Sequence, residues 1–293
     1  MSHARGFTLV ELIMVIALAG VVAVMVSVMF ARPMEGFVAQ SRRAELVDLG
    51  AGALNRMARD VRLAVPNSLR VSADGQALEL LLIHSAARYR PNRNDSDGLR
   101  FASASAGSCG STTTGGRCDS VQVLDPNLDP TGARWLVMYN VGAVSAGNPT
   151  AGANVWAGGN PGVITPSSVS ITRLANPPAG ETHLGLGNLP AGGFRFAFAS
   201  PQRRLYLAER VVGYRCRNGQ LLRYSYTDIL AALPVQPPAG SNPQPIAASV
   251  NSCTFAYQPG TTQRGGLLTL TLGIEQDGER MRLLQQVHID NAP

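Results

Sequence analysis

The sequence predicts an α+β protein in which a long N-terminal helix packs on a C-terminal antiparallel β-sheet domain. Three observations lead to this prediction: an apolar run at the N-terminus, apolar residues at helical spacing after it, and an alternating pattern from residue 66 onwards. The charged fraction of 15%, with 31 Gly and 19 Pro among 293 residues, also favours a loop-rich β-domain over a helical bundle.

The first element is an apolar run from Phe7 to Phe30, in which Glu11 is the one charged residue and proline is absent. As a helix these residues span roughly 36 Å, enough to cross a hydrocarbon core of about 30 Å. An ordinary secretory signal places a small-residue cleavage site after its apolar region. Here residues 1–6 precede the run, contain Arg5 and end in glycine. We therefore predict a transmembrane segment over residues 7–30.

The junction before this run carries a specific motif, the heptapeptide RGFTLVE at residues 5–11. It resembles the signature of type IV prepilins and of type II secretion pseudopilins, and it stands in its expected place at the start of a spanning run. In that family a membrane aspartyl peptidase cuts after the glycine and methylates the new N-terminal residue. The resemblance implies a leader of residues 1–6, cleavage between Gly6 and Phe7, and methylation of Phe7.

Glu11 is a carboxylate inside a predicted spanning helix, where a charge costs a few kcal/mol and usually has a partner or a function. The resemblance makes it the fifth residue of the mature chain. The amino group that cleavage frees at Phe7 of an adjacent subunit would be its partner, and this pair would set the axial register of assembly. The alternative is that Glu11 reaches the cytoplasmic interface, since it lies about one turn into the run.

The orientation cannot be read from basic residues alone, because Arg5 precedes the run while Arg32, Arg42 and Arg43 follow it. The peptidase motif and the cysteines farther along the chain place the C-terminal part outside the cytoplasm. We therefore predict a single-pass inner-membrane protein whose domain lies in the periplasm and which later enters a pilus or pseudopilus.

After Pro33 and Gly36, two residues that could bend the helix, residues 37–63 read as an amphipathic continuation. The predicted apolar stripe comprises Leu46, Leu49, Ala53, Met57 and Val61. Pro66-Asn67 ends the helix, so that residues 7–65 form the predicted assembly helix and residues 66–293 the β-rich domain.

Beyond the helix the sequence predicts strands separated by turns and long loops. The predicted strands are 69–72, 78–83, 121–124, 135–140, 168–174, 194–199, 205–212, 213–216, 221–226, 267–275 and 280–289. Asp74-Gly75, Asn218-Gly219 and Asp277-Gly278 predict hairpin turns. The Gly- and Pro-rich segments 142–166 and 233–248 are predicted to be surface loops.

The four cysteines are Cys109, Cys118, Cys216 and Cys253. They form no CxxC pair and have no histidine nearby, so a zinc site is not predicted. An even number of cysteines beyond an export signal indicates disulfides in an oxidising compartment. Of the three possible pairings we expect Cys109–Cys118, which closes a short loop, and Cys216–Cys253, which ties the Asn218-Gly219 hairpin to a later strand.

The remaining motifs predict neither a metal site, a cofactor, a nucleic-acid surface nor an enzyme. The segment 94–98 resembles part of a calcium loop, but Arg93 and Ala104 stand where oxygen ligands belong, which favours an ordinary turn. All 25 basic residues are arginines and they are scattered, so Arg56, Arg59 and Arg62 are interpreted as a solvated helix face. The four histidines lie far apart, with no HExxH and no GxSxG motif.

Two further segments, residues 59–68 and 285–293, resemble the MshO-type minor pilins of the mannose-sensitive haemagglutinin pilus system, and also the PilW-type and J-type relatives. The resemblance implies a structural subunit that helps to initiate, cap or assemble a fibre with other pilins. Its expected partners are the prepilin peptidase, major and minor pilins, and the inner membrane. The alternatives are a minor pseudopilin of type II secretion, a membrane-anchored periplasmic enzyme, and a periplasmic receptor for DNA or glycans.

Overall fold

The computed structural model describes residues 6–91, 99–102, 117–260 and 265–291, apart from the side chains of residues 30–35. One α-helix, α1 (Leu9–Arg62), has 54 residues and is therefore about 81 Å long. Its backbone stays helical through Pro33 and Gly36. The predicted α+β fold class is confirmed, because strands follow this helix over the rest of the described chain.

The strands mostly form antiparallel hairpins and meanders. In chain order they are β1 (Arg70–Val71), β2 (Ala77–Arg88), β3 (Arg100–Phe101), β4 (Ser120–Val123), β5 (Trp135–Val137), β6 (Val144–Ser145), β7 (Asn148–Pro149), β8 (Ser170–Arg173), β9 (Thr182–Gly187), β10 (Phe194–Arg195), β11 (Arg204–Arg217), β12 (Gln220–Tyr226), β13 (Gln244–Ala247), β14 (Val250–Gln258), β15 (Gly266–Gln276) and β16 (Glu279–Ile289).

Three sheets of three or more strands organise the described part of the domain. The main sheet has the order β1-β2-β11-β12-β13, and β5 pairs with β11 beside the end of β12. The C-terminal sheet has the order β14-β15-β16, and a third sheet has the order β4-β9-β8. The three predicted hairpins, β1–β2, β11–β12 and β15–β16, are confirmed by their antiparallel registers.

The second half of α1 packs on the main and C-terminal sheets through an apolar stripe. Its buried residues are Leu46, Ala53, Leu54, Met57, Ala58 and Val61. Leu49 was predicted to belong to this stripe and does not, because it is 38% exposed. Gly50 lies on the buried side instead, where a Cβ atom would meet the side chains of Leu283 and Ile274. The absence of a side chain there lets the helix approach the C-terminal sheet closely.

Polar contacts also hold α1 to the sheets. Asp60 accepts hydrogen bonds from Tyr214 Oη at 2.6 Å and from Arg223 Nε at 2.8 Å, both in the main sheet. Nearer the membrane-spanning end, Arg43 Nε lies 2.7 Å from Glu279 at the start of β16. The helix is thus joined to two different sheets.

Two segments that the sequence predicted to be surface loops contribute to the fold. The segment 142–166 contains the hairpin β6–β7, and its apolar residues Val155, Trp156, Val163 and Ile164 are buried in one core cluster. The segment 233–248 contains β13, which pairs with β12 at the edge of the main sheet. Composition misled the first prediction because a few well-spaced apolar side chains bury segment 142–166. Segment 233–248 lies mostly at the surface, as predicted, and only its pairing as β13 was missed.

Other predicted strand boundaries also need correction. The predicted strands 205–212 and 213–216 form one strand, β11, whereas 135–140 and 194–199 shorten to β5 and β10. Tyr139 has a φ of +47°, which takes the backbone out of the extended conformation soon after β5. Strand β9 was not predicted, and β14 was expected only as the later strand that the Cys216–Cys253 disulfide would reach.

Candidate cleavage and assembly site

The predicted cleavage junction lies immediately before α1. Gly6 and Phe7 are outside regular secondary structure, Gly6 is exposed, and the Phe7 side chain is 72% exposed. A peptidase must hold its substrate in an open conformation, which a helical backbone with internal hydrogen bonds does not provide. The bond between Gly6 and Phe7 therefore lies in a segment that an enzyme can reach.

Thr8 fixes the start of the helix two residues after this bond. Its backbone is extended, with φ −84° and ψ 149°, and its Oγ1 accepts a hydrogen bond from the backbone N–H of Glu11 at 3.3 Å. The backbone N–H of Leu12 donates to the Thr8 carbonyl oxygen at 3.1 Å. Threonine is a favoured N-cap because it satisfies one of the free N–H groups of the first turn. This role was missed, although the spacing Thr8-x-x-Glu11 is that of a capping box.

Glu11 lies in the first turn of α1, where the partial positive charge of the helix N-terminus favours a carboxylate. The residue is exposed. Among the described residues, its carboxylate has neither a hydrogen-bond donor nor an ion-pair partner within its own chain.

The apolar run follows directly. Residues Leu9–Met29, with a mean hydropathy of 2.9, are the one stretch among the described helices that is long and apolar enough to cross a membrane. None of this stretch is buried against the rest of the protein. That separates it from the core helix of a soluble domain, which can have the same composition but packs inside its fold. An exposed apolar helix of this length is typical of a segment that is covered by lipid or by neighbouring helices.

Three of the four cysteines lie within the described residues. Cys216 in β11 and Cys253 in β14 form a disulfide, which is the pairing expected from the sequence and which joins the main sheet to the C-terminal sheet. Cys118 is also disulfide-bonded. Cys109, the partner expected for it, lies outside the described residues, so the Cys109–Cys118 pairing stays a prediction.

The other candidate sites gain no support. The segment 94–98 that resembles a calcium loop lies outside the described residues. Within the described residues, no group of three or more His, Cys, Asp or Glu side chains is placed to hold a metal ion. Arg56, Arg59 and Arg62 are exposed on α1, as expected for a solvated face.

Comparison with known proteins identifies the N-terminus. The family model described as the prokaryotic N-terminal methylation motif matches residues 1–27. No curated protein and no solved structure matches the chain. The match covers the predicted leader, the predicted junction and most of the apolar run, and it supports a type IV prepilin-like protein. Such a motif favours a structural, pilin-like role over an enzymatic one.

Proposed function

We propose that this protein is a minor prepilin, a structural subunit that is cut between Gly6 and Phe7, methylated on Phe7, and assembled through α1 into a pilus of the mannose-sensitive haemagglutinin type. One observation carries the proposal. The exposed junction at Gly6 and Phe7 directly precedes an exposed apolar helix. The first turn of this helix holds one carboxylate, Glu11, which has no partner in the described chain.

The chemistry of assembly follows from that carboxylate. Cleavage at Gly6 frees an α-amino group on Phe7, which is positively charged near neutral pH. A charge pair buried among apolar helices is stable only when both members are present, because either charge alone loses its hydration without compensation. Glu11 of one subunit and the Phe7 amine of its neighbour therefore stabilise the register in which they meet.

The location of the protein follows from the same arrangement. The apolar run anchors the subunit in the inner membrane, and the β-rich domain lies in the periplasm, where the Cys216–Cys253 disulfide persists in oxidising conditions. The prepilin peptidase and other pilins are the partners, the latter through α1.

A minor pseudopilin of type II secretion is the second candidate, because it would use the same junction, helix and carboxylate. The two candidates differ in which genes accompany this one: genes for a pilus ATPase and major pilin support the first, and genes for a secretin system support the second.

Substitution of Glu11 tests the proposed assembly. We expect Glu11→Ala to leave cleavage nearly intact and to reduce incorporation into fibres, because the neighbour's amine is left unpaired at a cost of about 3 kcal/mol or more. Glu11→Gln should be intermediate, since it keeps hydrogen bonding but loses the charge. The measurement is the amount of the subunit in sheared fibres relative to membranes. Asp228→Ala, which removes an exposed carboxylate from the β-domain, is the control. Normal incorporation of Glu11→Ala would show that the carboxylate is a bystander.

A further inference from the structure

The second half of α1 has an exposed face on which charges of opposite sign are segregated along the helix. An acidic segment, Glu45 and Asp48, is followed about three turns later by a basic segment, Arg56, Arg59 and Arg62. At 100° per residue, all five side chains fall within about 120° of arc, opposite the buried stripe. They therefore form one exposed charged ridge on the side of α1 opposite the buried stripe. Asn55, which lies on the same arc, accepts a hydrogen bond from Gln285 of β16 at 3.3 Å, so one flank of the ridge borders the β-domain.

None of these five charges is used within the described part of the subunit. No ion pair involves Glu45, Asp48, Arg56, Arg59 or Arg62 there, whereas Arg43 and Asp60 on the same helix pair with Glu279 and Arg223. The helix dipole accounts for Arg59 and Arg62 in the last turn. It accounts neither for Arg56 nor for the acidic segment in the middle of the helix. Three arginines three residues apart also repel one another.

Between the two charged segments the ridge is open. Gly52 lies on this face, and a Cβ atom added to it would meet no other atom within 4 Å. A neighbouring helix could approach closely at this point, with its charges on either side.

We propose that this ridge docks against the same ridge of a second copy displaced by about 19 Å along the helix axis, the distance between the centres of the two charged segments. This inference rests on the proposed function, since it requires parallel subunits in one fibre. With that displacement, the acidic segment of the outward copy lies level with the basic segment of the inward copy.

The same pattern opposes association before assembly. Two copies anchored by the same apolar run lie at the same depth in the bilayer, so their helices are in register. The two acidic segments then face each other, and so do the two basic segments. Repulsion between like charges disfavours this in-register pair. The charge pattern thus disfavours pairing of subunits at equal depth in the membrane. It favours pairing in the fibre, where each subunit has moved outward relative to the one before it. A pair between Glu11 and a Phe7 amine needs a displacement of only about one turn, so it involves a different neighbour.

Cysteine cross-linking of two differently tagged full-length copies tests this register in cells that assemble the fibre. Ser41 and Gly52 are exposed on the ridge and lie outside both charged segments. Ser41→Cys in one copy and Gly52→Cys in the other report the displaced register, and Gly52→Cys in both copies reports the in-register pair. We expect the displaced pair to dominate in sheared fibres and to weaken at high salt. Equal cross-linking of the in-register pair in fibres would overturn the proposal.

Charge reversal supplies the decisive comparison. Glu45→Arg with Asp48→Arg in the Ser41→Cys copy should reduce the displaced cross-link by about fivefold, as expected for the loss of a few exposed ion pairs. Adding Arg56→Glu and Arg59→Glu to the Gly52→Cys copy should restore it. No reduction, or no restoration, of the displaced cross-link contradicts the proposal.

Failure of this inference can be told apart from failure of the proposed function. If the subunits are cut and enter fibres normally but show no displaced cross-link, only this inference fails. If neither copy is cut at Gly6, the proposed function fails as well.

Discussion

Glu79 shows how a fully buried carboxylate can be stable in this fold. Arg70 Nη2 lies 2.6 Å from its carboxylate, and the hydroxyls of Tyr224 and Tyr226 donate to it at 2.9 and 3.1 Å. The Arg70 guanidinium also lies 3.8 Å from the centre of the Trp156 ring. A buried charge is tolerated when it is paired and its remaining lone pairs accept hydrogen bonds. The network joins β1, β2 and β12 to the buried part of segment 142–166.

The phenols around this network make stability sensitive to alkaline pH. Burial, followed by the charge of Glu79, raises the pKa of Tyr224 well above its usual value near 10. A raised pKa means that the folded state keeps a proton which the unfolded state loses, so this contribution is complete below pH 10 and is lost as the pH rises above it. We expect the free energy of unfolding of the full chain in detergent to fall above about pH 10. Tyr224→Phe should reduce the slope by about 1.4 kcal/mol per pH unit. An unchanged slope in that variant would contradict this assignment.

At the scale of elements, α1 has two halves with different tasks. The first half exposes its apolar side chains from Leu9 to Met29, whereas the second half buries one stripe against two sheets. Gly50 marks the closest approach, because the side chains of Leu283 and Ile274 occupy the space where its Cβ would lie. Gly52, two residues on, faces open solvent.

Paired glycine substitutions test this packing. We expect Gly50→Leu to destabilise the folded chain by about 1–3 kcal/mol, because a larger side chain displaces Leu283 and lifts the helix from the sheet. Gly52→Leu is the matched control, and it should be neutral or stabilising by up to about 1 kcal/mol, since it removes a glycine from an exposed helix. Denaturant unfolding of both variants in detergent gives the comparison. Equal effects of the two substitutions would show that Gly50 is not at a tight contact.

The elements that could be predicted from the sequence are those whose signals are local. The turns at Asn218-Gly219 and Asp277-Gly278 need positive φ at both residues, and the structure has positive φ there. The N-terminal motif was recognisable for the same reason, because it is continuous in sequence, and the methylation-motif family model matches residues 1–27. What depends on distant neighbours was not predictable. Leu49 was chosen for its size, but the residue that meets the sheet is Gly50. Strand β9 (Thr182–Gly187) contains two glycines and becomes a strand by pairing with β4 and β8.

At the scale of the whole molecule, the Cys216–Cys253 disulfide connects the two sheets on which α1 rests. The two cysteines are 37 residues apart in sequence, so the bond restricts a sizeable loop of the unfolded chain. We expect Cys216→Ala with Cys253→Ala to lower the free energy of unfolding by about 2–4 kcal/mol. The comparison is with the unreduced wild-type chain under the same denaturant. A loss below about 0.5 kcal/mol would mean that the helix already holds the sheets together without the bond.

The arrangement of the whole molecule gives each part a role in one account. An accessible junction precedes a bare apolar helix, and that helix continues into a disulfide-linked β-domain. The second half of α1 packs on the β-domain, whereas the apolar first half contacts nothing else in the described chain. In the proposed assembly, lipid covers that half first and neighbouring helices cover it afterwards.

Processing of the N-terminus is the central claim, and intact-mass and peptide mass spectrometry of the mature protein tests it most directly. The account predicts that the residues up to Gly6 are lost and that the new terminus, Phe7, carries one methyl group. Gly6→Leu should leave the protein uncut and unmethylated, and cells lacking the prepilin peptidase should give the same result with the wild-type chain. A mature protein that keeps its leader in cells with an active prepilin peptidase would contradict the account.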